Sequence, residues 1–430
     1  MTTNVWSLAM ANRRDFLKLA GLTGLSLSAG PLTSLTGRGA SAYAEGQQPL
    51  FLSVHAGGGW DPTSFCDPKG RSSESQPNPV NHFFVDDIRT PSASSPIRWA
   101  PMGQNDTFFQ AHYDKLLIVN GVDTSTSNHS TGTRYLNSGQ LEEGHPSFAA
   151  LLTATVGAEL PLGYITNGGY DITRGVVPRT RLGSLGVIAR IAEPDLDGDR
   201  LFHPERVMTR MDAYRASRRS ARLAHQGLPK LQKSLLDLES ARSGQNELRR
   251  LNENLPDLNQ FNTSLGQQGA IAIAGYRSGL TVAANLTVGG FDTHGNHDVT
   301  QAAALDRLSS GLMEVWAEVE RHGLEDRVLI MVNSDFGRTP RYNEGMGKDH
   351  WSITSLFFMG AGVRGNRVIG ATDDGVHALP VHPETLELDP NGVKIEPAHV
   401  HASLRARFGV SDHPLSAHYP ILSDPLPIFS

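Results

Sequence analysis

Short apolar runs alternate with stretches of helical periodicity along most of this chain. The run Leu50-Phe51-Leu52-Ser53-Val54 stops at Gly57-Gly58-Gly59-Trp60-Asp61, which reads as a strand delivered into a glycine loop. Leu116-Leu117-Ile118-Val119 predicts a second strand, entering Asn120-Gly121-Val122-Asp123 and a turn rich in Ser and Thr. Helices are predicted over 129–136 and 147–156. Past residue 265 the rhythm returns, with a helix over 269–279, a strand over 280–288 and an amphipathic helix over 299–322. Residues 327–332 form the clearest buried strand, and 354–359 another. Strands alternating with helices predict an α/β fold, a mainly parallel sheet with helices on both faces.

Two stretches break the rhythm. Residues 67–105 are rich in Pro, Ser and Asn and read as surface loop. Residues 203–255 place Leu228, Leu231, Leu235 and Leu238, then Leu248, Leu251 and Leu255, at helical intervals, which predicts an inserted helical hairpin. Its first half carries Arg206, Arg210, Arg215, Arg218, Arg219 and Arg222. We read these as a solvated helix face, with binding of an anionic polymer as the alternative.

Composition narrows the class. A chain of 430 residues, 39% hydrophobic and 19% charged, suits a globular protein with a large core and excludes a disordered tail or coiled coil. The single cysteine, Cys66, excludes an intrachain disulfide and a cysteine-cluster zinc site. A net charge of −6 argues against a nucleic-acid partner.

The first segment reads as an address. Asn12-Arg13-Arg14-Asp15-Phe16-Leu17-Lys18 precedes a moderately apolar run from Leu19 to Leu35, and Ala42-Tyr43-Ala44 offers small residues for cleavage before Glu45. This resembles a twin-arginine export signal. The run is too short and polar for a stable membrane span, which needs ~20 predominantly apolar residues. Residues 1–44 are therefore expected to be a signal peptide and 45–430 the mature domain, periplasmic or secreted. The twin-arginine translocase is the expected partner during export. That route carries folded proteins, often assembled around a metal or cofactor.

Open parallel sheets place their sites beyond the carboxyl ends of the strands. Here those ends deliver Asp61, then Asp123 and His129, then Asp292, His294 and His297, then Asp335, with Asp349-His350 in a later glycine-bounded loop. Asp and His donors suit zinc, manganese or magnesium better than copper(I) or an iron–sulfur cluster. Competing structural roles exist for each. Asp61 can tie a turn, Asp335 can pair with Arg338, and one of His294 and His297 is a bystander. His55 and His145 are assigned to structure. Among Arg134, Arg338 and Lys348, one is expected to face an anionic substrate group.

These blocks (Gly-Gly-Trp-Asp61, Phe-Asp292-Thr-His294, Asp335-Phe-Gly-Arg-Thr-Pro and Asp349-His350) resemble the bacterial export-signal family called domain of unknown function 1501. That family is related to the alkaline phosphatase and sulfatase superfamily. The resemblance spans most of the mature chain apart from 203–255. It implies an alkaline phosphatase-like three-layer sandwich holding one or two divalent ions. Position by position, Asp61 matches the first-strand Asp, Asp292 with His294 the Asp…His metal block, Asp335 the Asp of the Ser-Asp-His-Gly block, and His350 the late histidine. Two departures stand out. Phe336 replaces the histidine of Ser-Asp-His-Gly, and His129-Ser130-Thr131 occupies the expected place of the nucleophile. His129 is then a ligand making good the loss at Phe336, or a nucleophile forming phospho-histidine, or Ser130 is the nucleophile.

The expected function is an exported metal-dependent hydrolase of phosphate or sulfate esters. Its substrate would be a small anionic ester or a sulfated or phosphorylated polymer. Asp61, His129, Asp292, His294, Asp335 and His350 would hold the metal, while Arg338 or Lys348 neutralises developing charge. The alternative is a catalytically inactive relic of that fold, an exported binding or assembly protein with a structural ion.

Overall fold

Eight strands make one sheet in the computed structural model, which describes residues 49–181, 196–197, 200–232, 234–236 and 245–430. They are β1 (Leu50–Gly57), β2 (Leu116–Asp123), β3 (Tyr164–Thr166), β4 (Thr180–Arg181), β5 (Ala283–Gly289), β6 (Val328–Ser334), β7 (Ile353–Gly360) and β8 (Arg367–Ile369). Their order across the sheet is β8-β2-β7-β6-β1-β5-β3-β4. Every pairing is parallel except those of β7, which runs against both β2 and β6.

β1 shows why helices must cover both faces. Its side chains alternate, so Leu50, Leu52, Val54 and Ala56 join one apolar cluster while Phe51 joins the other. The first cluster takes in α1 (Asn105–His112) through Phe108, α6 (Ser264–Arg277) through Ile273, and α7 (His297–Arg321) through Leu305, Leu308 and Leu312. The second takes in α2 (His129–Ser138) through Leu136, α3 (Phe148–Val156) through Leu151, and α8 (Pro397–Arg407) through Val400 and Leu404. Each fully buried Leu, Ile or Phe contributes ~1.5–3 kcal/mol relative to an exposed one. The result is the predicted three-layer α/β fold.

Several local expectations change. The stretch 67–105 lacks long elements but is not simply surface. Trp99 and Ile97 are buried, and Trp99 stacks on Phe109 with ring centres 5.3 Å apart. The helix predicted over 269–279 begins earlier, because Thr263 caps it by accepting from the Gly266 amide. In the insertion, α4 (Glu205–His225) buries no residue, whereas α5 (Gln245–Asn254) sets Leu251 into the first cluster. Leu228 and Leu231 are exposed. The side chains of Leu238 and Leu248 lie outside the described residues, as does the expected signal peptide 1–44. Among the described residues no helix is long and apolar enough to cross a membrane.

Candidate metal centre

Four segments meet at the carboxyl edge of the parallel strands. β1 ends in Gly57-Gly58, and β5 continues through Gly290 (φ 103°) to Asp292. β6 passes directly into Asp335. The turn after β2 starts α2 at His129, where Asn128 accepts from the Thr131 amide as the helix cap. His350 arrives differently. It pairs with Arg338 in a two-residue ribbon and then feeds β7, the one antiparallel strand of this sheet, whose beginning lies where its neighbours end.

There the carboxylate of Asp292 collects imidazoles. Its Oδ1 lies 3.1 Å from His294 Nε2, 3.5 Å from His350 Nε2 and 3.7 Å from His129 Nε2. One donor atom each from His129, Asp292 and His350 lies within 4.8 Å of the others. The far nitrogen of each ring is already committed. His129 Nδ1 faces Asp335 Oδ2 at 2.6 Å, His294 Nδ1 faces Asp349 Oδ1 at 2.9 Å, and His350 Nδ1 faces the Ser127 carbonyl at 2.8 Å. Carbonyls and ionised carboxylates only accept hydrogen bonds, so each Nδ1 carries a proton, and it is the Nε2 of each ring that is turned inward. His294 and His350 bring their Nε2 atoms to 2.9 Å of each other. Inward imidazole nitrogens gathered on a carboxylate form a donor set that could hold a cation. Donors bound to one tetrahedral ion at ~2.0–2.1 Å stand about 3.3 Å apart; the three spacings from Asp292 Oδ1 lie near that value, while the donors that all fall within 4.8 Å of one another are those of His129, Asp292 and His350.

The charge states agree. Burial would raise the Asp292 carboxyl, but the hydrogen bond and charge of Arg338 hold it below its usual value, so it is ionised. Partial burial lowers His350, more than the Ser127 carbonyl restores, so it stays neutral and able to ligate. The edge of its ring and that of His129 rest on Phe336, with ring centres 4.4 and 4.8 Å away. The phenylalanine that replaces an expected histidine thus packs against two of the converging rings.

Asp335 supports this cluster from behind. Its Oδ1 meets His55 Nε2 at 2.7 Å and the Thr133 hydroxyl at 3.0 Å, while Oδ2 takes His129 Nδ1 and, at 3.1 Å, the Gly58 amide. Burial would raise its pKa, yet His55, His129 and Thr133 pull it down to about 2. With four donors on two oxygens, Asp335 orients His129 and is not placed as a ligand. His55, read as structural from the sequence, belongs to this support. It lies inside the apolar strand β1.

Three other expectations are corrected by burial. Asp61 does not join the cluster. Its carboxylate is fully buried and accepts from Lys348 Nζ at 2.5 Å, His297 Nε2 at 3.0 Å, and the backbone and hydroxyl of Thr63. Lys348 is equally buried and also donates to Asn81 at 2.8 Å, so it faces Asp61 and not a substrate. His297, locked between Asp61 and Thr293, is the bystander of its pair. Arg338 is buried too. Its guanidinium ties the carbonyls of Gly58, Gly59, Phe291 and Lys348 together and touches Asp292 Oδ1 at 2.7 Å. It pins the loops that present the site.

A cavity of about 580 Å³ opens beside this centre. His129, Ser130, Thr133, Tyr170 and Arg174 line it, together with the buried His55 and Asp335.

The family described as Protein of unknown function (DUF1501) matches residues 187–390. No curated protein matches the chain. Among solved structures, Ps i-CgsB in complex with k-i-k-neocarrahexaose is 8% identical over 89% of this chain and 76% of its own, with a TM-score of 0.39. BT1596, a 2-O GAG sulfatase, is 10% identical over 86% and 73%, with a TM-score of 0.36. The phosphonate monoester hydrolase of Agrobacterium radiobacter is 10% identical over 84% and 74%, with a TM-score of 0.34.

Proposed function

We propose that this chain is an exported, metal-dependent hydrolase of phosphate or sulfate esters, with zinc held by His129, Asp292, His294 and His350. The observation that carries the reading is the inward convergence of three imidazole Nε2 atoms on Asp292 Oδ1, each ring fixed by an acceptor at Nδ1. A set dominated by imidazole fits zinc better than magnesium, which prefers oxygen donors and water. Structural zinc sites are closed, whereas catalytic ones keep an open face. The side chains of Asp292 and His294 are 51% and 47% exposed, which favours an open site over the inactive alternative.

When bound, the ion would polarise an ester oxygen and make water acidic enough to attack near neutral pH. The protein's own residues do the rest. Asp335, Asp349 and the Ser127 carbonyl keep the three rings aimed. Arg338 keeps Asp292 ionised, and Gly58 and Asp292 stay adjacent through the same guanidinium. Ser130 is exposed at the first turn of α2 beside His129, where the helix N-terminus favours an anionic group. The resemblance of residues 12–44 to a twin-arginine leader supports export, and the DUF1501 match spans the blocks at Asp292, Asp335 and Asp349-His350.

Elemental analysis of purified protein, combined with a panel of phosphate and sulfate esters, tests the reading. Zinc should be bound, at least one ester should turn over, and Asp292→Ala should abolish turnover while leaving the fold intact. A bound ion with no turnover of any ester favours the structural alternative.

A further inference from the structure

We infer that the cavity beside His129 contains a second anion site, so that this chain takes esters whose leaving group carries a further carboxylate, sulfate or phosphate. The reacting end of this inference rests on the hydrolase reading; the second anion site rests on the charges of the cavity itself.

One helix lines the cavity from the metal cluster outward. His129, Ser130, Thr133 and Arg134 of α2 all face it. At ~1.5 Å per residue, Arg134 lies about 7–8 Å beyond His129 along the helix axis. The loop after β3 adds Tyr170 and Arg174 to the lining. Tyr170 lines the same cavity as Arg134 and Arg174, and burial lifts its hydroxyl above the usual value while the charges of those two arginines oppose the rise.

Unspent charge decides what the wall attracts. Arg134 gives Nε and Nη2 to the Leu141 carbonyl at 3.0 and 2.7 Å, which fixes the side chain. Its Nη1 has only Glu143 at 3.7 Å, a carboxylate 90% exposed and free to yield to a ligand. Arg174 is exposed and makes no hydrogen bond or ion pair with the described residues. The other acids on the wall are taken. Asp171 is paired with Arg179 and Arg181 at 2.5 and 2.9 Å, and Asp335 with His55 and His129. Two cations therefore face one displaceable carboxylate. A neutral leaving group gains nothing from them, whereas an anionic one gains charge-assisted hydrogen bonds, bidentate where the geometry allows. A volume of about 580 Å³ leaves room for a sugar or aryl ring between the two anions.

The test uses the full chain with zinc added and two phosphonates that cannot be hydrolysed, benzylphosphonate and 4-carboxybenzylphosphonate, titrated by calorimetry. The carboxylated compound should bind roughly tenfold tighter or better, as charge-assisted pairing predicts. That advantage should vanish in Arg174→Ala and partly survive in Arg174→Lys. Equal affinities in the unsubstituted chain, failure of both compounds to bind, or an undiminished gap in Arg174→Ala would each overturn the second site. Turnover of the panel of phosphate and sulfate esters, extended to esters with a carboxylate on the leaving group, is followed separately. If it is absent while the affinity gap persists, the hydrolase reading fails and the anion site stands.

Discussion

Asp335 holds His129 by a 2.6 Å contact between Oδ2 and Nδ1, and its other oxygen holds His55 at 2.7 Å. One buried carboxylate thereby links a strand residue of β1 to the first residue of α2. Through the imidazole, it fixes which nitrogen faces Asp292.

Replacing that carboxylate tests the link directly. Asp335→Asn removes the negative charge that keeps the proton on His129 Nδ1 and leaves His55 with Asn333 but without its charged partner. Zinc affinity should fall about 10–100-fold, the usual cost of losing a carboxylate behind a ligating histidine. Competition with a chromophoric chelator measures it. Thr133→Ala, which removes only the 3.0 Å hydroxyl contact to the same carboxylate, should have a much smaller effect. Unchanged affinity in Asp335→Asn would mean that His129 is oriented without it or does not ligate.

Metal removal should be visible in stability. An ion that binds only the folded chain stabilises it by ~2.7 kcal/mol at one hundred times its dissociation constant. Melting should therefore shift upward with zinc and back with a chelator. His350→Ala and Asp292→Ala should abolish the shift, because each deletes one of the converging donors. A zinc-induced shift that survives in both variants would place the ion elsewhere.

The architecture was legible where the chain repeats a simple pattern. β1 and β6 are continuous apolar runs because they lie inside the sheet with helices on both sides, and α7 declares itself by its stripe of Leu305, Leu308 and Leu312. The strands β3, β4 and β8, two or three residues long, are too short for any period to show. Within the site, glycine-flanked Asp and His residues marked the segments that converge, and His129, Asp292, His294 and His350 do meet. Asp61, Arg338 and Lys348 looked the same in sequence, yet they are struts. What separates the groups is burial, set by loops far apart in the chain: Lys348 reaches Asp61 across 287 positions. No local pattern tells a carboxylate awaiting a cation from one already facing a lysine.

The Asp61–Lys348 pair carries its own prediction. Both side chains are fully buried, so Lys348→Met leaves an ionised carboxylate with no ammonium. Losing one partner of a buried pair typically costs about 3–5 kcal/mol, and Lys348→Met combined with Asp61→Asn should recover part of it. Denaturant titration of the three variants measures the difference. Burial opposes ionisation of Asp61, but Lys348 and His297 hold its carboxyl far below the usual range. A depressed carboxyl contributes stability that is present above its unfolded value of about 3.9 and lost as pH falls toward the folded one. Stability of the unsubstituted chain should therefore drop as pH falls below about 4, and the double variant should show a weaker drop. Equal acid sensitivity in both would remove Asp61 from the account.

Gly132 separates helix propensity from seating. It lies in α2 between His129 and the end of β6, where an added Cβ would come within 2.1 Å of the Asp335 carbonyl oxygen and 2.9 Å of its carbon. Both atoms are backbone, so no side chain can swing aside and the helix itself must move. Propensity alone favours Gly132→Ala by ~1 kcal/mol. Overpacking a tight contact costs ~1–3 kcal/mol and should win. The displaced helix also lengthens the 2.6 Å bond from His129 to Asp335, so zinc affinity should fall together with stability. Gly227→Ala, outside the helices, is the unhindered comparison, since its Cβ would meet nothing within 4 Å and its backbone is not in the left-handed region. That variant should keep both stability and zinc affinity. If Gly132→Ala matches it in both measurements, the close approach of α2 to Asp335 does not govern how His129 is presented.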